Sequence, residues 1–393
     1  MVQTYSIAKV FVICCLALQY GIYTGVISYY YAVALSLILS LSYYLYSRKK
    51  SACFVSARFV GYLAIPVLLG VCYSCILFVL YNNSNIDFVK LFSRTLFYTA
   101  TLLQGISLVL LFGKKAIDVL FEAAVLFYSI IVLEYLFQNG ISSLVKYITT
   151  TISGTDMSET SILEAHEVTF VFGLFFIYYF SRNFVLYKKK LLIALVFMIL
   201  GYKRIMIPGI LVAFIVIFLL KKIRLKKLSV IFVAFLGCFG SFAWLYLIKS
   251  NQIYTLAKVL DINFMGRLSL YRLISSEYEI TPFFSGRGFG YLDVWSQIHT
   301  VETNGTALHN DTVLMYVELG FVLFVAYFIY YFVFLYSKSR SIYKYILPGI
   351  FCYTIICWCT DNVQVYFNYQ VVELAIVYLL ISERKQLLGG YNG

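Results

Sequence analysis

An all-α, polytopic membrane fold follows from three features of the sequence. Of the 393 residues, 62% are hydrophobic and only 12% charged. The apolar residues fall in runs of roughly 17–25, the length at which a helix crosses a hydrocarbon core. Basic residues recur at alternate breaks between those runs. Lipid offers backbone amides no partners, so each run must be helical or part of a closed barrel, and the runs are too long and continuous for barrel strands.

About twelve crossings can be placed, at roughly 6–24, 26–46, 59–80, 95–112, 117–137, 166–181, 190–203, 205–220, 228–248, 312–336, 345–360 and 367–382. The first run lacks a small-residue cleavage site and is followed at once by another span, so it reads as a retained anchor. No repeat and no low-complexity linker divides the chain, which reads as a single polytopic domain over 1–393. Alternating the spans puts 21 of the 31 basic residues on one side, among them Arg48, Lys49, Lys114, Lys115, Lys188–Lys190, Lys221, Lys222 and Lys226. The positive-inside bias makes that side cytoplasmic, with both termini on it. The net charge of +13 is then mostly a topology signal, and a nucleic-acid partner, which would want a basic face on a soluble module, is excluded.

Acidic residues and all three histidines, His166, His299 and His309, gather on the other face. Two outer loops are substantial: a smaller one at 138–165, and a large one at 249–311 between the ninth and tenth spans. Neither contains any of the nine cysteines, so no disulfide framework is implied. Cys72 and Cys75 read as small packing residues within a span, and no metal site or cofactor motif stands out. The phosphate-cradling G-x-x-x-x-G-K-[ST] pattern is absent. Gly286, Gly288 and Gly290 follow a proline-phenylalanine stretch instead of a strand, so they predict a tight turn and not a dinucleotide site.

The informative stretch begins at Gly266. Residues 267–272 can form a short helix with Arg267 and Tyr271 on one face and Arg272 beside them. The turn Gly286-Arg287-Gly288-Phe289-Gly290 follows, then Leu308-His309-Asn310-Asp311 and Val317-Glu318-Leu319-Gly320, leading into a span. This order resembles the superfamily of bacterial O-antigen polymerases and O-antigen ligases, in which an arginine helix, a G-x-G turn and an H-N motif with a later glutamate and glycine lie in the large outer loop. The resemblance covers about 204–320. Lys203-Arg204 is similar to an arginine those families carry at an outer turn. Asp361-Asn362 resembles a D-N pair of the polymerases, and Ser158-Glu159 a serine-glutamate motif that here lacks its usual proline.

Spacing supplies a separate reason to single out Arg204. Only 30 residues separate Lys190 from Lys221, so each leg of that hairpin has about 15 residues, or roughly 22 Å of helix against a ~30 Å core. A cation drawn below the headgroups calls for an anion or a water-filled cavity, and a guanidinium suits a phosphate through paired hydrogen bonds. The alternative is that Lys203 and Arg204 snorkel to the interface. For His309 the alternatives are a hydrogen-bonded interface residue or a general base, since neutral imidazole can take a proton from a sugar hydroxyl. Asn310, Asp311 and Glu318 either orient it or cap the helix that starts there, capping being the preferred role for Asp311. His299 and His166 read as surface residues.

The resemblance implies an enzyme of the outer face that joins sugar chains carried on undecaprenyl diphosphate, by metal-independent transfer with inversion and without a cofactor. Nucleotide sugars are confined to the cytoplasm, which agrees. On this reading Arg204 and Arg267 neutralise the diphosphate, His309 activates the acceptor hydroxyl, and Lys203, Tyr271, Arg272, Arg287, Asn310, Glu318 and Glu159 flank the lipid-linked oligosaccharide donor and acceptor. Membrane lipid, a chain-length regulator and a flippase are the partners implied, and the location is the bacterial inner membrane. A polymerase is favoured over a ligase that moves the chain onto lipid A core. The rival outside enzymes, a lipid-linked oligosaccharide flippase or other transporter, would show internal repeats and ionisable groups near the midplane. If the short-hairpin argument holds, a Tyr202→Cys protein reacts poorly with a membrane-impermeant thiol reagent applied from outside, whereas Gly305→Cys reacts readily. Strong labelling of Tyr202→Cys from the cytoplasmic side would contradict the whole alternation.

Overall fold

The computed structural model describes residues 2–22, 24–49, 57–81, 87–153, 162–163, 166–201, 203–259, 267–299 and 308–383. Among them no strand occurs. The chain runs through α1 (Val2–Gln19), α2 (Tyr29–Lys49), α3 (Ala57–Tyr81), α4 (Phe88–Phe112), α5 (Ala116–Ser153), α6 (His166–Leu200), α7 (Met206–Lys222) and α8 (Lys226–Lys249). Three short helices follow, α9 (Gln252–Val259), α10 (Arg267–Ile274) and α11 (Tyr291–Ile298). Then α12 (Asp311–Phe328) widens through π-helical turns at Ile329–Phe334 into α13 (Leu335–Lys338), and α14 (Ile346–Trp358) and α15 (Phe367–Ser382) complete the bundle.

Four segments are long and apolar enough to cross a membrane: Phe59–Leu80, Phe88–Thr150, Lys226–Lys249 and Asp311–Lys338. Ile7–Ile22, Ile346–Trp358 and Phe367–Ser382 are shorter apolar helices. The make-up is that of a polytopic membrane protein. Two expected boundaries differ from the sequence reading. Helix α5 continues past the expected span end at 137 and is broken at Gly140, so the smaller outer loop begins as helix down to Ser153. Helix α6 is two helices joined at Asn183, whose extended backbone and side-chain Oδ1, accepting from Leu186 N at 3.0 Å, start the second one. The short cytoplasmic turn expected between two spans is that single capped residue.

Helix α15 is the axis. From Phe367 to Ile381 every residue except Leu374 is buried, as expected of a helix that is apolar all round. It packs on α4 and α6, while α14 lies against α7, α2 against α4 and α1 against α5. The polar atoms inside this assembly find each other. Glu167, on the first turn of α6 and 2% exposed, accepts from the backbone N–H of Asn368 and of Tyr369 (3.0 Å) and from Asn368 Nδ2 (3.1 Å). It thereby satisfies the free amides at the start of α15. Asn368 Oδ1 accepts from Gln19 Nε2 (2.6 Å), Gln104 Nε2 donates to Gln19 Oε1 (2.9 Å), and Ser36 Oγ donates to Gln104 Oε1 (2.9 Å). One chain of hydrogen bonds thus runs through α6, α15, α1, α4 and α2, where no water competes.

Glu167→Ala leaves at least two buried N–H groups without an acceptor, at about 1–3 kcal/mol each. The variant is expected to aggregate at clearly lower temperature than the parent in detergent, with Glu167→Gln between the two. Equal melting of parent and Glu167→Ala would show that the cap contributes nothing.

Candidate active site

The short helices after α8 are fastened before they present any side chain. Lys249 Nζ donates to Ser275 O (2.8 Å), Tyr278 O (2.7 Å) and Glu279 Oε1 (3.0 Å). Tyr278 Oη donates to Leu245 O (3.0 Å), and Tyr316 Oη of α12 donates to Glu279 O (2.7 Å). This clamp sets α10 against the ends of α12 and α14.

There the structure brings together six residues. Arg267 Nη1 donates to Thr360 O at 2.7 Å, just past the end of α14, which fixes its planar fork while the side chain stays half-buried. Tyr271, one turn on, is fully buried next to Asn310. Burial pushes its hydroxyl up to about 12, against the opposing pull of Asn310 and of the Arg267 charge, so it remains a neutral hydroxyl near neutral pH. Asn310 caps α12 by accepting from Val313 N at 3.0 Å. His309 precedes it at φ 45°, in the left-handed region that non-glycine residues seldom occupy. Its Nδ1 is buried, without a hydrogen-bond partner, and faces Asp361 Oδ1 at 3.8 Å.

Asp361 is 3% exposed. Its Oδ1 accepts from Asn362 N (2.8 Å) and from Tyr366 Oη (2.6 Å). Burial by itself would raise this carboxyl, but contact with His309, the Lys203 charge and the Tyr366 hydroxyl together hold it well below the usual carboxylate range. A permanent anion therefore faces the imidazole. Of the hairpin pair, Lys203 is the buried member, 9% exposed, and Arg204 the exposed one.

A second group is built around Glu318, about 12 Å further along α12. Its Oε1 accepts from Gly290 N (3.0 Å) and Leu292 N (3.4 Å), capping α11. Arg287 N donates to Val317 O (2.8 Å), Gly288 N to Glu318 O (2.9 Å) and Phe321 N to Phe284 O (2.9 Å). The two backbones touch where both carry glycine: Gly286 (φ 80°) and Gly320 (φ 71°) lie face to face, and a Cβ on Gly320 would stand 2.3 Å from Ser285 C. That contact is the physical content of the G-x-G turn and of the glycine after the glutamate. Arg287 Nε is buried without a hydrogen-bond partner, a cationic donor suited to an anion. Arg94 of α4, just before the expected span at 95–112 and not singled out from sequence, is 7% exposed and grips Asp293 of α11 through both carboxylate oxygens (2.8 and 2.9 Å).

Residues 190–328 match a family model described as O-antigen ligase. That match is consistent with the O-antigen polymerase and ligase superfamily. No curated protein and no solved structure matches it. The O-antigen ligase match takes in Lys203, Arg204, Arg267, Arg287, His309, Asn310 and Glu318, and it stops before Asp361 and Tyr366.

The expected residues divide by surroundings. Arg267, Tyr271, His309, Asn310 and Lys203 gather around Asp361; Arg287 and Glu318 belong to the turn; Arg272 is exposed. Glu159 lies outside the described residues. Asp311, for which capping was the expected role, instead accepts at Oδ2 from Gln364 N (2.7 Å), and Asn310 is the cap. Tyr366 was not singled out, and no local motif marks it. Gly320→Ala is expected to abolish recovery of monodisperse protein in detergent. Alanine at Gly140, which has the same sign of φ but open space around it, costs only about 1–3 kcal/mol of backbone strain and still yields protein. Comparable yields from both would refute the backbone-contact argument.

Proposed function

We propose that this protein is a surface-polysaccharide polymerase that joins one undecaprenyl-diphosphate-linked repeat unit to the next on the extracytoplasmic face of the bacterial inner membrane. The observation that carries the reading is the pairing of His309 with the ionised, buried Asp361, beside an arginine already held in position by Thr360 O. The acceptor hydroxyl oxygen attacks the anomeric carbon as the bond to the diphosphate oxygen breaks, and the electron pair leaves on the diphosphate. The hydroxyl proton passes to His309 Nε2. Asp361, on the Nδ1 side, orients the ring and stabilises the imidazolium that forms. Arg267, with Arg204 and Arg287, meets the negative charge that grows on the leaving diphosphate. Lys203 keeps Asp361 ionised, and Tyr271 and Asn310 set the position of the arginine helix against the histidine.

The family description favours a second reading, an O-antigen ligase that moves a finished chain onto lipid A core. Both reactions release the same carrier and use the same arginines and base, so chemistry does not separate them. Polymerase is preferred for the Asp361-Asn362 pair and for the tyrosine-rich body, with 37 tyrosines. Deleting the gene decides: loss of a polymerase leaves single repeat units on their acceptor, whereas loss of a ligase leaves long chains stranded on the lipid carrier. Incubating purified protein with the lipid-linked repeat unit separates both from a flippase, which relocates the lipid without lengthening it.

Arg267→Ala, Arg204→Ala and His309→Ala should each lower polymer formation about a hundredfold or more while the protein stays in the membrane. Arg267→Lys should be nearly as poor, because lysine keeps the charge and loses the fork. Asp361→Asn should lower kcat far more than it changes KM, since the imidazolium formed as the proton is taken up loses its counter-charge. Because the Asp361 carboxyl is depressed in the fold, its contribution to stability is complete above about pH 4 and is lost only as pH falls to the folded value. Full activity of His309→Ala removes the assignment of the base.

A further inference from the structure

We infer that the groove between α7 and α8, with the basic loop at its mouth, binds an acidic phospholipid, the phosphate on the loop and an acyl chain in the groove. This site is separate from the proposed reaction. Five of the seven residues 221–227 are cations, Lys221, Lys222, Arg224, Lys226 and Lys227, and all seven residues are exposed. The chain has no acidic residue between Glu167 and Asp261. Several other cations at this end of the bundle have carboxylate partners: Lys9 meets Glu122 (2.8 Å), Arg182 meets Glu383 (3.0 Å) and Lys190 meets Asp118 (2.5 Å). Lys221 rests over the Tyr345 ring at 4.9 Å. Among the described residues Lys222, Arg224, Lys226 and Lys227 form no ion pair.

The positive-inside bias asks for cations on this side of the membrane, but it does not account for an apolar groove that opens among them. Leu219, Leu220 and Ile223 at the end of α7 and Leu228, Phe232 and Phe235 of α8 line this groove, and no charged side chain does. Its free volume is ≈ 660 Å³, more than twenty times the ~30 Å³ of a liquid water. That is room for a chain, where a single neighbouring side chain would leave most of it empty. Lining residues and cations interleave from 219 to 228, which sets the charges at the mouth. From Lys226 to Phe235 the groove follows α8 for about 14 Å, close to one leaflet of a ~30 Å hydrocarbon core.

Charge selects among the occupants. Residues 384–393 begin with Arg384 and Lys385 and include no acid, so that segment is repelled by the loop. A second copy of the chain would bring the same five cations to the contact. A zwitterionic lipid fills the groove and leaves the cations without a net counter-charge, whereas a soluble anion meets the cations and leaves the apolar floor uncovered. An acidic phospholipid satisfies both at once. Each Lys or Arg beside an acidic membrane surface raises association about fivefold, and basic pockets between helices are a known form of such sites.

The test places a fluorophore in the groove. Full-length Phe232→Trp protein is reconstituted in phosphatidylcholine vesicles that contain brominated phosphatidylglycerol or brominated phosphatidylcholine, and the quenching of the unsubstituted protein is subtracted. Phosphatidylglycerol should associate at residue 232 about fivefold or more in preference to phosphatidylcholine, and high salt should reduce the preference because the cations are exposed. Glutamine at Lys222, Arg224, Lys226 and Lys227 together should bring the ratio to about one, with the melting temperature in detergent unchanged. Val79→Trp, exposed on α3, should show no preference in either background. Equal ratios at residues 232 and 79 overturn the site and leave bulk lipid there. A preference that survives the four glutamines overturns the assignment of the head group. No quenching of Phe232→Trp by either lipid means that protein covers this face, which also overturns it.

Discussion

In a protein surrounded by hydrocarbon, an interrupted helix releases backbone N–H groups that must find acceptors inside the protein. That demand organises this structure. Glu167 meets it at the start of α15, Glu318 at the start of α11 and Asn310 at the start of α12, while Asp311 takes the amide of Gln364. Three of these four acceptors are carboxylates buried in a membrane fold, and each sits where two elements meet that are distant in sequence. The interruptions are also where chemistry can be placed, because only there does the backbone turn polar side chains inward together.

The site exploits this division of labour. Glutamates and Asp311 serve the backbone, which on the proposed function leaves His309, Asp361 and Arg267 for a ligand. Capping by Asn310 helps hold His309 in its left-handed conformation, and the clamp at Lys249 carries Arg267 to Thr360, one residue from Asp361. Contact with His309, the Lys203 charge and the Tyr366 hydroxyl together keep the buried Asp361 ionised. The glycine contact between residues 286 and 320 does the corresponding work for the second group, bringing Arg287 and Phe289 down beside α3.

Much of this was legible in the chain itself. The order arginine helix, G-x-G turn, histidine-asparagine pair and glutamate-glycine pair identified the segment, and the positive φ values of Gly286, Gly288 and Gly290 agree with the tight turn their alternation implied. The shared face of Arg267 and Tyr271 followed from helical spacing alone. Less legible was the division of roles among neighbours. Asn310 and Asp311 are adjacent polar residues at a helix start, and which one caps depends on where Gln364 lies, fifty residues onward. Glu318 gave no sign that its partner was the start of α11.

Hydropathy, charge bias and local motifs depend on residues close together in the chain, so the sequence by itself determined the all-helical membrane class and the segment that resembles the O-antigen ligase family. The pairing of His309 with Asp361, the burial of Lys203 in preference to Arg204 and the Arg94–Asp293 grip were decided only by tertiary structure. Each joins elements separated by tens to hundreds of residues, and in a close-packed bundle the distance between such groups is set by how the helices cross and where they break, for which no local pattern codes.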